Sequence, residues 1–289
     1  MKLPTHISSI FPLRGLGGLF LACCLFFAAC GDKNDPYIPE PEPPVPPPEE
    51  KENIVFNLDG NLIRARKSTL GDAVFNIDGD YIRAGEKATG DIVFNIDGKL
   101  IRAGEKKTGD VVFNIDGDYI RAGEKADGYI VLNIDRLYLR GVSEYSNIMY
   151  RVIKWFDDDY KIYPGNNTSG QPVFRVIKWF DDDYKIYPGN NTSGQPVFRV
   201  IKWFDDDYKI YPGNNTSGQP VFRVIKWFDD DYKIYPGNNT SGQPVFRVIK
   251  WFDDDYKIYP GNNTGGQPVF RIIKWLDDDY KIYLGNNYY

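Results

Sequence analysis

Apolar and polar positions in this chain alternate with a period of two, in short runs that recur at fixed intervals. In VFRVIKWF, Val173, Arg175, Ile177 and Trp179 fall on one side of an extended chain, and Phe174, Val176, Lys178 and Phe180 on the other. Asp181-Asp182-Asp183 interrupts the alternation, and Tyr184-Lys185-Ile186-Tyr187 resumes it. PGNNTSGQP (Pro188 to Pro196) then supplies Gly, Pro and Asn for a connection. β-branched and aromatic residues fill both runs, so the segment predicts a β-hairpin followed by a polar loop. No stretch sustains a helical period of apolar positions, which makes the predicted class all-β.

The hairpin is written six times with a 24-residue period, each copy opening on an arginine: Arg151, Arg175, Arg199, Arg223, Arg247 and Arg271. A second array with a 19-residue period lies upstream, its copies starting at Ile54, Ala73, Ile92 and Val111, with a degraded fifth copy from Ile130. Here VFNI and YIRA flank an Asp-Gly pair, a tight-turn signal. Periods of this size mark supersecondary units that bury apolar surface against their neighbours. The chain therefore divides into a four-copy 19-residue β domain over 53–141 and a six-copy 24-residue β domain over 142–289.

Both faces of the long hairpin are largely apolar, so one hairpin alone would be unstable and each must pack on two sides. Five aromatics per unit (Phe174, Trp179, Phe180, Tyr184 and Tyr187 in one copy) are expected to supply the buried area. Closure into a ring protects aromatic-rich edges from pairing with other chains. The expected architecture is two radial, flower-like shallow barrels. An open hairpin solenoid is the alternative, and the atypical terminal copies, with Arg66-Lys67-Ser68 at one end and Leu276 and Leu284 at the other, fit caps of such an array.

Units of the form V-F-N-I-x-G-x-Y-I-R-x-G followed by a polar Ser/Thr-Gly loop resemble the bacterial β-flower proteins. The resemblance is best over 54–141 and extends to 149–289 through the internal likeness of the two repeats. It implies shallow barrels with hairpin petals, akin in architecture to the tubby C-terminal domain and often found behind a lipobox. It also implies lipid or membrane association, and no known reaction.

The first 29 residues read as a targeting segment: Lys2 and Arg14 precede an apolar run from Leu16 to Ala29, too short for a good membrane span. Phe27-Ala28-Ala29-Cys30-Gly31 resembles a bacterial lipobox with Phe27 where leucine is usual, which makes Cys30 the expected lipid anchor of an outer-membrane, surface or periplasmic lipoprotein. The Asp32-Lys33-Asn34-Asp35 stretch resembles surface-export signals of Bacteroidetes lipoproteins. Residues 30–52 hold eight prolines, a composition that favours extended polyproline II. At ~3.1 Å per residue, about twenty residues reach roughly 60 Å, a stalk or spacer.

Charge narrows the function classes. The net charge is −5, and each long unit balances three basic against three acidic side chains, so no field suited to nucleic acid is expected. The only histidine is His6, within the targeting segment. A chain anchored through Cys30 has no free cysteine, so the usual acid/base, nucleophilic and soft-metal groups are missing, and neither catalysis nor a cofactor is expected. The Asp triplets read first as turn formers; calcium ligation is the second reading, but they lack the spaced ligand set of a calcium loop. Trp155, Trp179, Trp203, Trp227, Trp251 and Trp275 read first as core and second as a sugar-binding series, one per repeat. Arg175, Lys178 and Lys185 beside them are candidate contacts for a lipid or glycan, weighed against solvated or snorkelling side chains. The functional expectation is a non-catalytic binding or scaffolding module on a membrane anchor, or alternatively a carbohydrate-binding surface adhesin.

Overall fold

A computed structural model describes residues 54–285 apart from short breaks at 66, 68, 71–72, 91, 110, 125, 127–129, 142–147, 157, 181, 229, 252–254 and 276–278. The targeting segment, Cys30 and the proline-rich stretch lie outside the described residues. All described regular structure is strand, arranged as two closed antiparallel barrels. The first runs from β1 (Ile54–Asp59) to β10 (Tyr138–Gly141), and β1 pairs with β10 to close it. The second runs from β11 (Ile148–Lys154) to β22 (Tyr280–Leu284) and closes through the pair of Arg151 with Lys281 and of Val152 with Tyr280. The open solenoid is excluded. Neither barrel leaves a free strand edge.

One expectation of number changes. The smaller barrel has five petals, because the degraded copy folds as a complete hairpin: β9 (Ile130–Asp135) pairs with β10, Ile134 opposite Leu139 and Leu132 opposite Gly141. Its apolar in-facing positions survive although its turn signal does not. In the other short hairpins the pair of Asp78 with Tyr81 frames a two-residue Gly79-Asp80 turn, with Gly79 at φ 60°. In the fifth, Arg136 takes the glycine's place and is held at φ 55°. A side chain in this region costs about 1 kcal/mol relative to glycine. Arg136→Gly should therefore raise stability by about 1 kcal/mol in denaturant titration, with no change in the slope.

Pairing assigns the faces. Phe174, Val176, Ile186 and Tyr184 stand on the inner face of the larger barrel and are buried, as are their equivalents around the ring. Phe56, Phe75, Phe94, Phe113 and Leu132 fill the base of the smaller barrel, all fully buried. On its outer wall Arg83 Nε meets Asp78 at 2.9 Å, an arrangement repeated as Arg102 with Asp97 and Arg121 with Asp116.

The barrels stack base to base. The Phe75 and Phe246 rings meet edge to face at 6.4 Å between centroids, and the buried Tyr150 hydroxyl donates to the Val131 carbonyl at 2.7 Å. All four residues lie at the loop ends of their hairpins. Buried side chains from the two barrels form one continuous apolar core. The hairpin tips consequently point away from each other, at the two far ends of the stack.

Candidate functional site

Five of the six long hairpins stop pairing before their alternating pattern ends; in the other, pairing resumes past a bulge with Phe180 opposite Asp183. In the copy with strands Phe198–Lys202 and Tyr208–Pro212, the last pair is Lys202 with Tyr208. Residues 203–207 form a wider tip, closed by Trp203 N–H to the Asp207 carbonyl at 2.9 Å and Asp207 N–H to the Phe204 carbonyl at 2.8 Å. Asp205 takes the left-handed conformation, φ 50°, which aspartate tolerates better than most residues. The tip thus lifts Trp203 and Phe204 out of the sheet. The tryptophans are 49–57% exposed, and Phe156, Phe180, Phe204 and Phe228 are 69–72% exposed. The expectation that the tryptophans and all five aromatics of a unit are core is therefore corrected. Phe174, Tyr184 and Tyr187 are buried, whereas Trp179 and Phe180 stand in an aromatic crown around the far rim.

The aspartates do more than turn the chain. Asp207 Oδ1 accepts the backbone N–H of Lys226 in the next petal at 2.9 Å, and its other oxygen lies 3.7 Å from the Arg223 guanidinium. The neighbouring Asp206 accepts Lys226 Nζ at 2.6 Å. Equivalent contacts join Asp158 to Lys178, Asp182 to Lys202 and Asp230 to Lys250, at 2.6–2.7 Å. At these four steps the in-facing lysines and aspartates therefore alternate along the barrel mouth and fasten petal to petal. Lys178 belongs to this set, so its reading as a solvated chain is corrected.

These charges shift neighbouring groups. The hydrogen bond that it donates to Asp206 raises the Lys226 ammonium above its ordinary value, partly opposed by desolvation. Beneath these pairs, burial chiefly and the Asp charges secondarily push the Tyr208 and Tyr232 phenols far up. Burial also raises the Asp207 carboxyl. Asp207→Ala should cost about 1–2 kcal/mol by leaving the Lys226 N–H without its acceptor, while Asp207→Asn keeps an acceptor oxygen and should lose much less. Chemical denaturation of the two variants compares them. Among the described residues no group of three His, Cys, Asp or Glu side chains is placed to hold a metal ion.

On the outer wall the candidate residues meet as the linear sequence does not indicate. Lys185 lies flat over Trp179, Nζ 3.3 Å from the ring centroid, and the same stacking recurs in all six petals at 3.1–3.4 Å. The stacked lysines are buried to 7–8% exposure. Register places Lys185 directly opposite Arg199 of the next petal. Desolvation lowers the Lys185 ammonium, and the Arg199 charge adds to the effect. The structure thus joins Trp179, Lys185 and Arg199 outside, and separates Lys178 onto the inner mouth. Arg175 belongs to the preceding cluster, opposite Lys161. A register of 24 minus 10 residues between Lys185 and Arg199 is visible in the sequence only once ring order is known.

These features define a class of protein: stacked β-hairpin barrels that offer one repeated rim and wall. Comparison with known families agrees. Residues 48–154 match the model of 6-fold beta flower proteins, and residues 146–288 match that of LURP-one-related proteins, a tubby-like fold. The first match runs on over β11, which the structure gives to the second barrel, and the barrel within it closes with five hairpins. No curated protein and no solved structure matches the chain.

Proposed function

We propose that this is a lipid-anchored protein of the bacterial envelope, held at the outer membrane through Cys30, whose larger barrel is a non-catalytic binding module. The observation that carries the reading is the aromatic crown. Tryptophans about half exposed, with phenylalanines more exposed still, ring one end of the molecule. Aromatic side chains left in water at this density are apolar surface held for a partner. Six petals, five with a Trp-Phe pair and the last with Trp275-Leu276, offer closely similar contacts, which suits multivalent attachment better than one asymmetric reaction centre.

A carbohydrate-binding adhesin is the second reading, favoured by the tryptophans, which stay about half exposed although a lysine covers one face of each ring. A lipid surface is the competing partner, since Trp and Phe also settle at bilayer interfaces. The test uses the Cys30→Ser chain, which removes the anchor and leaves the barrels intact. Binding to a glycan array and co-sedimentation with vesicles are compared before and after Phe156, Phe180, Phe204 and Phe228 are changed to Ser. The crown variant should fold normally and lose binding. Equal behaviour of the two chains on both supports would overturn the crown as the contact surface. The anchor is checked by detergent partition: the Cys30→Ser chain should move to the aqueous phase.

A further inference from the structure

We propose that the outer wall of the larger barrel is a six-fold anion-binding belt that takes an acidic polysaccharide, one carboxylate or sulfate per petal between Lys185 and Arg199 and at the equivalent positions. The proposal rests on the reading of this barrel as a binding module and names the chemistry of its ligand.

The argument begins with an electrostatic anomaly. Six lysine–arginine pairs sit directly across neighbouring strands, among them Lys161 with Arg175, Lys185 with Arg199 and Arg151 with Lys281. Like charges directly opposite each other destabilise a sheet. The protein does little to neutralise them. Lys185 is 7% exposed, and its ammonium meets only the Trp179 ring, with no carboxylate or carbonyl partner among the described residues. A cation–π contact of this kind offsets part of the desolvation. Arg199 has one acidic neighbour, Asp183, at 3.9 Å, the outer limit of an ion pair. Its Nε is buried without a hydrogen-bond partner, as are those of Arg151, Arg175, Arg223 and Arg247. The Lys185–Arg199 pair therefore carries two charges against one distant carboxylate and leaves the Arg199 Nε without an acceptor. An anion bridging ammonium and guanidinium satisfies both.

The same geometry selects the ligand class. The sites face outward around the circumference, so a flat bilayer can touch one or two at a time. A flexible polymer can follow the belt and engage several. Adjacent sites are two strands apart, about 10 Å along the wall. Beside this pair, Trp179 keeps about half its surface exposed as apolar area for a pyranose ring, although Lys185 covers one ring face. The near balance of charge in each long unit gives no strong positive field of the kind nucleic acid uses.

The test measures binding of the full Cys30→Ser chain to polygalacturonate and dextran sulfate, with neutral dextran, anionic phosphatidylglycerol vesicles and single-stranded DNA as the other arms. Intrinsic tryptophan fluorescence reports occupancy at the site. Expected results are binding to the two acidic polysaccharides that weakens as salt rises, little binding to dextran, and a change in tryptophan emission. Substituting Lys185→Gln with Arg199→Gln, then one further pair at a time, should weaken binding stepwise, about tenfold for each engaged pair. A far-ultraviolet spectrum and melt of each step keep loss of fold apart from loss of ligand, and salt dependence of the unsubstituted chain tests the idea without any variant. Binding to neutral dextran as tight as to polygalacturonate would overturn the anion belt and leave the binding module standing. Binding confined to vesicles or DNA would overturn the polysaccharide assignment. No binding in any arm would sink both.

Discussion

Replacing Phe75 with Ala in the smaller barrel is expected to lower the melting temperature of the larger one. The ring is fully buried and meets Phe246 of the second barrel edge to face. Truncating such a phenylalanine costs about 3–5 kcal/mol, from lost transfer energy and the cavity left behind. All six tryptophans, from Trp155 to Trp275, lie in the second barrel, so tryptophan emission follows that barrel alone. A single continuous core makes the stack one cooperative unit, and the Trp-monitored midpoint should fall together with the circular-dichroism midpoint. Phe246→Ala should do the same, and the double variant should lose less than the sum of the two. An unchanged Trp-monitored transition in Phe75→Ala would mean that the barrels unfold independently.

Alkali should unfold the protein steeply. Tyrosines in an unfolded chain ionise near pH ~10. Burial raises the Tyr150, Tyr208 and Tyr232 phenols above that value, so the folded state holds protons that the unfolded state gives up. Their contribution to stability is complete below pH ~10 and falls as pH rises beyond it. Each buried phenol removes about 1.4 kcal/mol per pH unit in that window, so three together remove about 4 kcal/mol per unit. Lys226, raised by its bond to Asp206, acts in the same direction above pH ~10.4. The outer-wall lysines, lowered by burial and by the facing arginines, act oppositely, and their relief ends near the same pH. Phenolate absorbance should therefore appear together with loss of strand signal in one transition. Smooth tyrosine titration centred near pH 10 with the sheet intact would contradict this account.

The hairpins themselves were legible because a period of two, broken by Gly, Asp and Asn, depends on neighbours in sequence. Closure was legible for a similar reason: Phe174 and Val176 need cover that one hairpin cannot supply. The fifth short petal was read as degraded because its turn signal is lost at Arg136, yet its in-facing Val131, Leu132 and Leu139 decide its place. Tryptophans were read as core from their size. The pairing of Lys202 with Tyr208 ends the sheet just before Trp203, a boundary set by the five-residue tip. Asp206 and Asp207 read as turn residues because their partners lie 20 and 19 residues away, in the next petal.

The sequence by itself determined the class, the repeat, the hairpin and the face that each alternating residue takes, since strand periodicity and turn chemistry are local. Only the tertiary structure decided that a fifth petal completes the smaller ring, that the two rings share one core, and that Trp179, Lys185 and Arg199 meet. Those outcomes depend on register between neighbouring petals and on ring closure. Such long-range pairings bring together residues that no local pattern links.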